Sequence, residues 1–357
     1  MNLYAVLLCG GKGERFWPKS RSNLPKQFVT LFGGKSLLEM TSERIKELCP
    51  VSRQLFVAHQ RFAKLLIREL KAKQKNLILE PARKDTAPAI GLSAVILSRR
   101  DPEAIMVVLP ADHIITPKRK FLSAVKVAAV LAQKGYLVTF GVVPTRADTG
   151  YGYIQYGEEV YRQGKICGYR VLEFKEKPDL KTAEQYLKSG NYLWNSGMFV
   201  WRVDMILEAF HRYMPQFYQS LLSFSQTLGS QREKMAIKRL YQKAPAISID
   251  YGVMEKAENV CVVRAPFIWD DVGGWLALAR HFPQDQNGNV VKGLWFGKNT
   301  KDCICYADQG VLATLGITGL VIVRSGDAVM VAEKNALSQL KDLLTEIAQD
   351  RQGRKFL

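Results

Sequence analysis

Three groups of charged residues stand beside glycine or proline in ways that could handle phosphate. The first opens the chain, where an apolar run from Leu3 to Cys9 breaks into Gly10-Gly11-Lys12-Gly13-Glu14-Arg15 and is followed by Pro25-Lys26-Gln27-Phe28. A buried strand that ends in glycines leaves backbone N–H groups free to approach a polyphosphate, and nearby cations neutralise it. This reads as a nucleotide site; taken alone, it reads equally as a tight strand-to-helix turn. Neither Gly-x-x-x-x-Gly-Lys-Ser/Thr nor Gly-x-Gly-x-x-Gly is present, which excludes the P-loop and dinucleotide patterns. The second group is Leu109-Pro110-Ala111-Asp112-His113, a carboxylate directly after an apolar run. In isolation such an aspartate is more often a helix cap or turn residue than a metal ligand. The third, Phe174-Lys175-Glu176-Lys177-Pro178, is by composition only a charged strand end before a proline. Around them lie glycine-aromatic segments, Thr149-Gly150-Tyr151-Gly152-Tyr153, Trp194-Asn195-Ser196-Gly197-Met198 and Trp269-Asp270-Asp271-Val272-Gly273, which look like a sugar-binding wall on strands and loops.

The elements that must position these residues alternate. Strands are predicted at Tyr4 to Leu8, Leu55 to Ala58, Leu77 to Leu79, Ile105 to Leu109 and Leu137 to Gly141, with helices at Leu37 to Leu48, Arg61 to Lys73, Ala87 to Ser98 and Phe121 to Gln133. Ser36-Leu37-Leu38-Glu39 reads as a capping box, and Thr86 as the cap of a helix with Pro88 in its first turn. Such alternation implies an α/β fold with an open, mostly parallel sheet covered by helices on both faces. Ligands in such sheets sit at the carboxyl ends of strands, which is where the glycine turn and Asp112 fall. From about Asn287 short β-like runs appear: Val290 to Phe296, Cys303 to Ala307, Val311 to Leu315, Leu320 to Arg324 and Ala328 to Ala332. A last helix carries Leu337, Leu340, Leu344 and Ile347 on one face. The expected domains are therefore a catalytic domain over 1–285 and a small β-rich domain over 286–357. The final helix either docks on the main domain, the default, or forms a homodimer contact.

The 357 residues, 47% hydrophobic, suffice for a large core, and no apolar run approaches membrane-spanning length. The start of the chain carries neither a basic leader nor a small-residue cleavage site, so a cytoplasmic protein with no membrane association is expected. Six scattered cysteines without a C-x-x-C pair read as reduced core thiols. A net charge of +18 raises nucleic acid as a partner. Its cations are spread along the chain without a recognisable nucleic-acid motif, so solvated helix faces and anionic substrates account for them better.

Leu-x-x-Gly-Gly-x-Gly-x-Arg-x-x-Pro followed by Pro-Lys-Gln-Phe resembles the signature of the sugar-1-phosphate nucleotidyltransferases, and the later segments follow in that family's order. Glu80-Pro81-Ala82-Arg83-Lys84-Asp85-Thr86-Ala87-Pro88-Ala89 and Ser248-Ile249-Asp250-Tyr251-Gly252-Val253-Met254-Glu255-Lys256 sharpen the resemblance towards members that use mannose 1-phosphate. The resemblance implies a Rossmann-like fold of the nucleotide-diphospho-sugar transferase type. It also implies the reaction of GTP with α-D-mannose 1-phosphate to give GDP-mannose and pyrophosphate, with Mg²⁺ as cofactor. Arg15 and Lys26 would then be catalytic. Leu8, Gly10, Gly11, Gly13, Glu80, Asp85, Thr86 and Pro88 would bind the nucleotide, and Gly152, Glu176, Lys177 and Asn195 the sugar phosphate. Asp112 and Asp271 would hold the metal, Asp271 being favoured over Asp270 by its place in Trp-x-Asp-x-Gly. Asp85 departs from the family's commoner asparagine; an acidic side chain there weakens nucleotide binding if it orients ribose or base. Guanine presents N1–H and N2–H₂ donors, for which Glu80 is a candidate acceptor. No covalent nucleophile is required, so cysteines and histidines are not assigned to catalysis, although His113 is placed to tune Asp112.

Within the same chemistry, UTP or dTTP with glucose 1-phosphate is the nearest alternative, because base and sugar choice rest on few contacts. A non-catalytic sugar-nucleotide sensor is the alternative from another class. The chain ends at Leu357, so the extra isomerase domain of longer bifunctional relatives is not expected.

Overall fold

The apolar run Leu3–Leu8 forms a strand buried along most of its length, as a central strand of a covered sheet must be. In this computed structural model residues 1–11 and 13–357 are described, and Lys12 of the glycine turn lies outside them. The chain divides into two units, one of Met1–Gly10 and Glu39–Trp269, the other of Gly11–Leu38 and Asp270–Leu357. These units do not follow a single cut near residue 285, because the segment after Gly10 groups with the C-terminal residues.

In the first unit the strands are β1 (Leu3–Leu8), β2 (Gln54–His59), β3 (Leu77–Glu80), β4 (Ile105–Pro110), β5 (Ile114–Thr116), β6 (Leu137–Val142), β7 (Tyr153–Gln163), β8 (Ile166–Lys175), β9 (Tyr192–Arg202) and β10 (Val260–Arg264), with β11 (Ile268–Asp270) at its end. Nine of them form one sheet in the order β3-β2-β1-β4-β9-β6-β10-β8-β7. Strands β3, β2, β1 and β4 are parallel, as are β6 and β10, and β9 is inserted antiparallel between β4 and β6. The sheet is thus the mostly parallel one expected, with an antiparallel β7–β8 edge.

The helices are α1 (Leu37–Ile45), α2 (Ala63–Leu70), α3 (Thr86–Arg100), α4 (Lys118–Gln133), α5 (Leu180–Ser189), α6 (Val203–Tyr213), α7 (Pro215–Ser225) and α8 (Glu233–Lys243). Two are shorter than predicted. Helix α1 stops at Ile45, and α2 closes at Lys71, which takes a left-handed φ of 51°. Helix α3 is apolar nearly all round because it is buried against α6 and α7. Its cap is Asp85, not Thr86: the Asp85 carboxylate accepts the Thr86 N–H at 2.7 Å, while the Thr86 hydroxyl accepts the Ile249 N–H at 2.8 Å. At the carboxyl ends of the sheet, Leu8 pairs with Pro110 and the Ala111 N–H donates to the Leu8 carbonyl. Gly10 and Asp112 therefore leave the sheet from adjacent strand ends.

The second unit holds β12 (Val290–Lys298), β13 (Ile304–Leu315), β14 (Leu320–Ser325) and β15 (Ala328–Glu333), with α9 (Leu278–His281) and α10 (Leu340–Gln349). The runs expected as separate strands before and after Gln309 are one element, β13, whose pairing with β12 jumps from Lys292↔Tyr306 to Leu294↔Val311. Strands β12, β13 and β14 are parallel and β15 closes antiparallel. Helix α10 starts at Leu340, with Leu337 in a preceding 3-10 turn, and it buries Leu340 and Leu344. It packs on the Glu14–Phe16 turn, so the last helix docks within its own chain.

A chain of indole hydrogen bonds ties this unit together. Trp275 Nε1 donates to the Trp17 carbonyl at 2.9 Å, and Trp17 Nε1 donates to the Phe356 carbonyl at 2.9 Å. The Trp275 ring also packs edge-on against Phe16 and beside Tyr306. The C-terminal residues thereby brace the turn that carries Arg15. Trp275→Phe keeps most of the ring but leaves the buried Trp17 carbonyl without this donor, and it is expected to lower stability by about 1–3 kcal/mol. Denaturant unfolding would read this as a lower midpoint with an unchanged slope.

Candidate active site

The second unit brings Arg15, Lys26 and Asp271 together although the last two are 245 positions apart. Lys26 Nζ donates to the Asp271 carbonyl at 2.6 Å. This bond orients the Lys26 side chain. A Cβ added at Gly273 would lie 3.5 Å from Asp271 Oδ2 and 3.7 Å from Arg15 Nη1, so the guanidinium and the carboxylate flank the same glycine. Gly13 accounts for how the loop reaches this corner. Its φ is 70°, and a Cβ there would stand 2.5 Å from the backbone nitrogen of Lys26. Only glycine lets the turn press against the Lys26 segment.

The turn that presents Asp271 is held by its neighbour. Asp270 is buried; Arg280 donates to it from Nε at 2.6 Å and Nη2 at 2.8 Å, His281 Nε2 stands at 2.8 Å, and the Val272 N–H donates at 2.7 Å. Burial works to raise its carboxyl, but the bonds from Arg280, His281 and Val272 overcome this and hold it well below the usual carboxylate range. They also hold buried Val272 at φ 49°, a strained conformation for a β-branched residue. Asp270 is thus a structural clamp, and the carboxylate beside it is Asp271.

In the first unit, Leu8 and Gly10 end β1, and Asp112 follows β4. His113 Nδ1 accepts the Trp269 indole N–H at 3.1 Å, which assigns the ring proton to Nε2, 3.8 Å from Asp112 Oδ1. Glu80 at the end of β3 is buried and accepts the Tyr241 hydroxyl at 2.7 Å. Burial pushes its carboxyl up to about 7, against the lowering effects of Tyr241 and Arg83. Asp85 adopts φ 67° and ψ −168°, a backbone region essentially reserved for glycine, and its carboxylate is engaged in capping α3. Pro88 is buried in the first turn of that helix, where a missing N–H costs nothing.

The predicted sugar residues also converge. Gly152 and Asn195 are joined by the Asn195 N–H donating to the Gly152 carbonyl at 2.8 Å. A Cβ on Gly152 would fall 2.3 Å from Glu176 Oε2, so any larger residue there would displace the Glu176 carboxylate. Lys177 Nζ pairs with Glu176 Oε1 at 2.9 Å. Burial lowers its ammonium, yet the Glu176 bond outweighs this and leaves it raised. Asn195 Nδ2 donates to Asp250 Oδ1 at 2.7 Å. Asp250, Tyr241 and the Asp270–Arg280–His281 clamp were given no role from sequence. For Asp250 the available signal was its place in the Ser248 to Lys256 segment.

The profile described as "Nucleotidyl transferase" matches residues 4–288. The chain belongs to the nucleotidyl transferase family. A second profile, "MannoseP isomerase/GMP-like beta-helix domain", matches residues 297–347, which contain the end of β12 and all of β13 to β15. The chain is similar to the mannose-1-phosphate guanylyltransferase of Klebsiella pneumoniae, at 37% identity over 98% of this chain and 75% of that protein. It is similar to the one of Escherichia coli K12 at 36% identity, over 98% of this chain and 74% of the relative. A crystal structure of a "mannose-1-phosphate geranyltransferase" from Thermus thermophilus superposes with a TM-score of 0.86 at 38% identity, covering 97% of this chain and 99% of the other.

In this nucleotidyl transferase the Asp270 clamp has a defined pH signature. Its folded-state pKa lies below the unfolded value of about 3.9. Its contribution to stability is therefore complete above that value and is lost as pH falls through the folded pKa. Asp270→Asn should cost on the order of 1–3 kcal/mol at pH 7 and should flatten the acid side of the profile. Melting temperatures of wild type and variant, measured from pH 7 down to pH 2, should converge as the pH drops.

Proposed function

We propose that this protein joins GTP and α-D-mannose 1-phosphate to form GDP-mannose and pyrophosphate. The observation that carries the reading is the gathering of Arg15, Lys26 and Asp271 beside the glycine turn, in a chain similar over nearly its whole length to relatives named for guanylyl transfer to mannose 1-phosphate. The phosphate of mannose 1-phosphate has a second pKa of about 6 and is largely dianionic at pH 7. No general base is needed. One of its oxygens attacks the α-phosphorus of GTP in line, the bond from that phosphorus to the bridging oxygen breaks, and pyrophosphate leaves with the electron pair.

Catalysis then rests on positioning and charge. Arg15 stabilises charge on the triphosphate, and Lys26, anchored through the Asp271 carbonyl, binds and orients it. Gly10, Gly11 and Gly13 give the phosphates access to backbone N–H groups. Glu80 accepts from guanine N1–H and N2–H₂; with its carboxyl near 7, two such donors would favour the ionised form. Asp85 and Thr86 shape the entry of α3. Because the Asp85 side chain is occupied in capping, an asparagine could do the same work, and this supports leaving nucleotide binding intact despite the substitution. Lys177 holds the sugar phosphate, and Gly152, Glu176 and Asn195 surround its hydroxyls.

Asp112 and Asp271 are the residues that would hold Mg²⁺. Among the described residues there is no cluster of three or more His, Cys, Asp or Glu that could bind a metal. Two half-buried carboxylates, with phosphate and water completing the shell, suit magnesium, whereas the oxygens of Asp270 are already taken by Arg280, His281 and Val272. When bound, the ion supplies charge neutralisation at the phosphate oxygens. No helix among the described residues is long and apolar enough to cross a membrane. The reading places the reaction in the cytoplasm, where nucleoside triphosphates are made.

Purified protein assayed for pyrophosphate release with GTP, UTP or dTTP against mannose 1-phosphate or glucose 1-phosphate should work best with GTP and mannose 1-phosphate. A preference for UTP or dTTP rejects the assignment. Arg15→Ala and Lys26→Ala should each lower kcat by about 10² to 10³. Asp271→Asn should abolish pyrophosphate release with an unchanged melting temperature, and retained activity would remove Asp271 from the metal site.

A further inference from the structure

Asp250 has no role in the chemistry above, yet it completes the polar cluster around Glu176. Hydrogen-bond bookkeeping at Asn195 shows why. The Asn195 Oδ1 accepts the Gly197 N–H at 3.1 Å and competes with the Met198 carbonyl for the single Thr139 hydroxyl proton, at 3.2 and 3.1 Å. One of its two N–H groups goes to Asp250 Oδ1 at 2.7 Å. Asn195 can therefore donate a single N–H to a ligand, while its oxygen is already engaged by Gly197 and lies beside the Thr139 hydroxyl.

Sugar hydroxyls that donate need acceptors elsewhere. Glu176 supplies one: its side chain is 9% exposed, Oε1 is paired with Lys177, and buried Oε2 has no partner. Gly152 lies between this oxygen and Asn195, since a Cβ on it would be 2.3 Å from Oε2 and 3.2 Å from Asn195 Cβ. Asp250, 8% exposed, is one hydrogen bond further along. Two carboxylates have thus been placed in one largely dry cluster, and burial together with the Glu176 charge raises the Asp250 carboxyl to about 7. Asp250 already receives the Asn195 amide, its own backbone N–H and the Ser248 hydroxyl, which leaves it room for a further donor, and Glu176 Oε2 has none; two neighbouring carboxylates held in this way are relieved when donors arrive.

We infer that Asp250 is a sugar-recognising residue: with Glu176 Oε2 it accepts two neighbouring hydroxyl groups of the sugar 1-phosphate, while Asn195 donates its remaining N–H to the same edge of the ring. The inference rests on the reading that a sugar 1-phosphate binds at Glu176 and Lys177. It assigns sugar selection to this chain's Ser248 to Lys256 segment as well as to the Glu-Lys-Pro strand end.

Asp250→Asn tests it, because asparagine retains an oxygen for the Asn195 bond and removes the charge and one acceptor. The KM for mannose 1-phosphate should rise about tenfold to a hundredfold, with the KM for GTP unchanged and kcat altered far less. Mannose 1-phosphate analogues lacking one ring hydroxyl provide the decisive readout. Wild type should be penalised at two adjacent positions, and the variant should lose the penalty at one of them. An unchanged sugar-phosphate KM, a parallel rise in both KM values, or the same deoxy penalties in wild type and variant would overturn the inference. If the variant does not fold, the wild-type deoxy series still decides: penalties at one position only, or at non-adjacent positions, refute the acceptor pair. Should wild type prefer a different sugar 1-phosphate, the substrate assignment falls, and the same comparison run with that sugar still judges Asp250.

Discussion

A single buried carboxylate organises the corner of the second unit that gathers Arg15, Lys26 and Asp271. Asp270 receives hydrogen bonds from Arg280, His281 and the Val272 backbone, and through them it keeps a β-branched residue in a left-handed conformation that it would not otherwise adopt. The effect is to set the direction of the chain at Asp271. Its carbonyl meets the Lys26 ammonium, and its carboxylate lies across Gly273 from Arg15. Trp275, a few residues on, ties the same turn to Trp17, and Trp17 is in turn bonded to the C-terminal Phe356. Strain in the Asp270 turn and bracing from the last helix belong to one mechanical arrangement.

Three buried carboxylates show that partners, rather than burial, decide what a desolvated charge becomes. Asp270 has a guanidinium, an imidazole and a backbone N–H, and it stays ionised far into acid. Glu80 has one phenol as its main donor, and its carboxyl rises to about 7. Asp250 is bonded by the Asn195 amide, its own backbone N–H and the Ser248 hydroxyl, yet burial and the Glu176 carboxylate nearby still raise it to about 7. The satisfied group is structural. The two raised ones sit where a base and a sugar are proposed to bind, which is where a shifted carboxyl has a use.

Much of the fold was legible because its signals are local. Runs such as Leu3–Leu8 and Ile105–Pro110 are apolar without alternation, as strands covered on both faces must be, and their strand-helix order leads to the parallel sheet. The errors were at ends and joints. Helix α2 stops early because Lys71 turns left-handed, the cap of α3 moved from Thr86 to Asp85, and two apolar runs fused into β13. Each depends on a backbone dihedral or a long-range pairing that the residue types do not announce.

What the order of amino acids settled was the inventory: a glycine turn with its cations, carboxylates after strand ends, a Glu-Lys-Pro segment, and the family they belong to. What needed three dimensions was the division of labour among equals. Asp270 and Asp271 are adjacent and chemically identical, and only the approach of Arg280 and His281 makes one a clamp and leaves the other beside Arg15. Asp250 joined the polar cluster around Glu176 only when β9 brought Asn195 within 2.7 Å of it. Hydrogen bonds and desolvation act over a few ångströms of space, whereas sequence reports only separation along the chain.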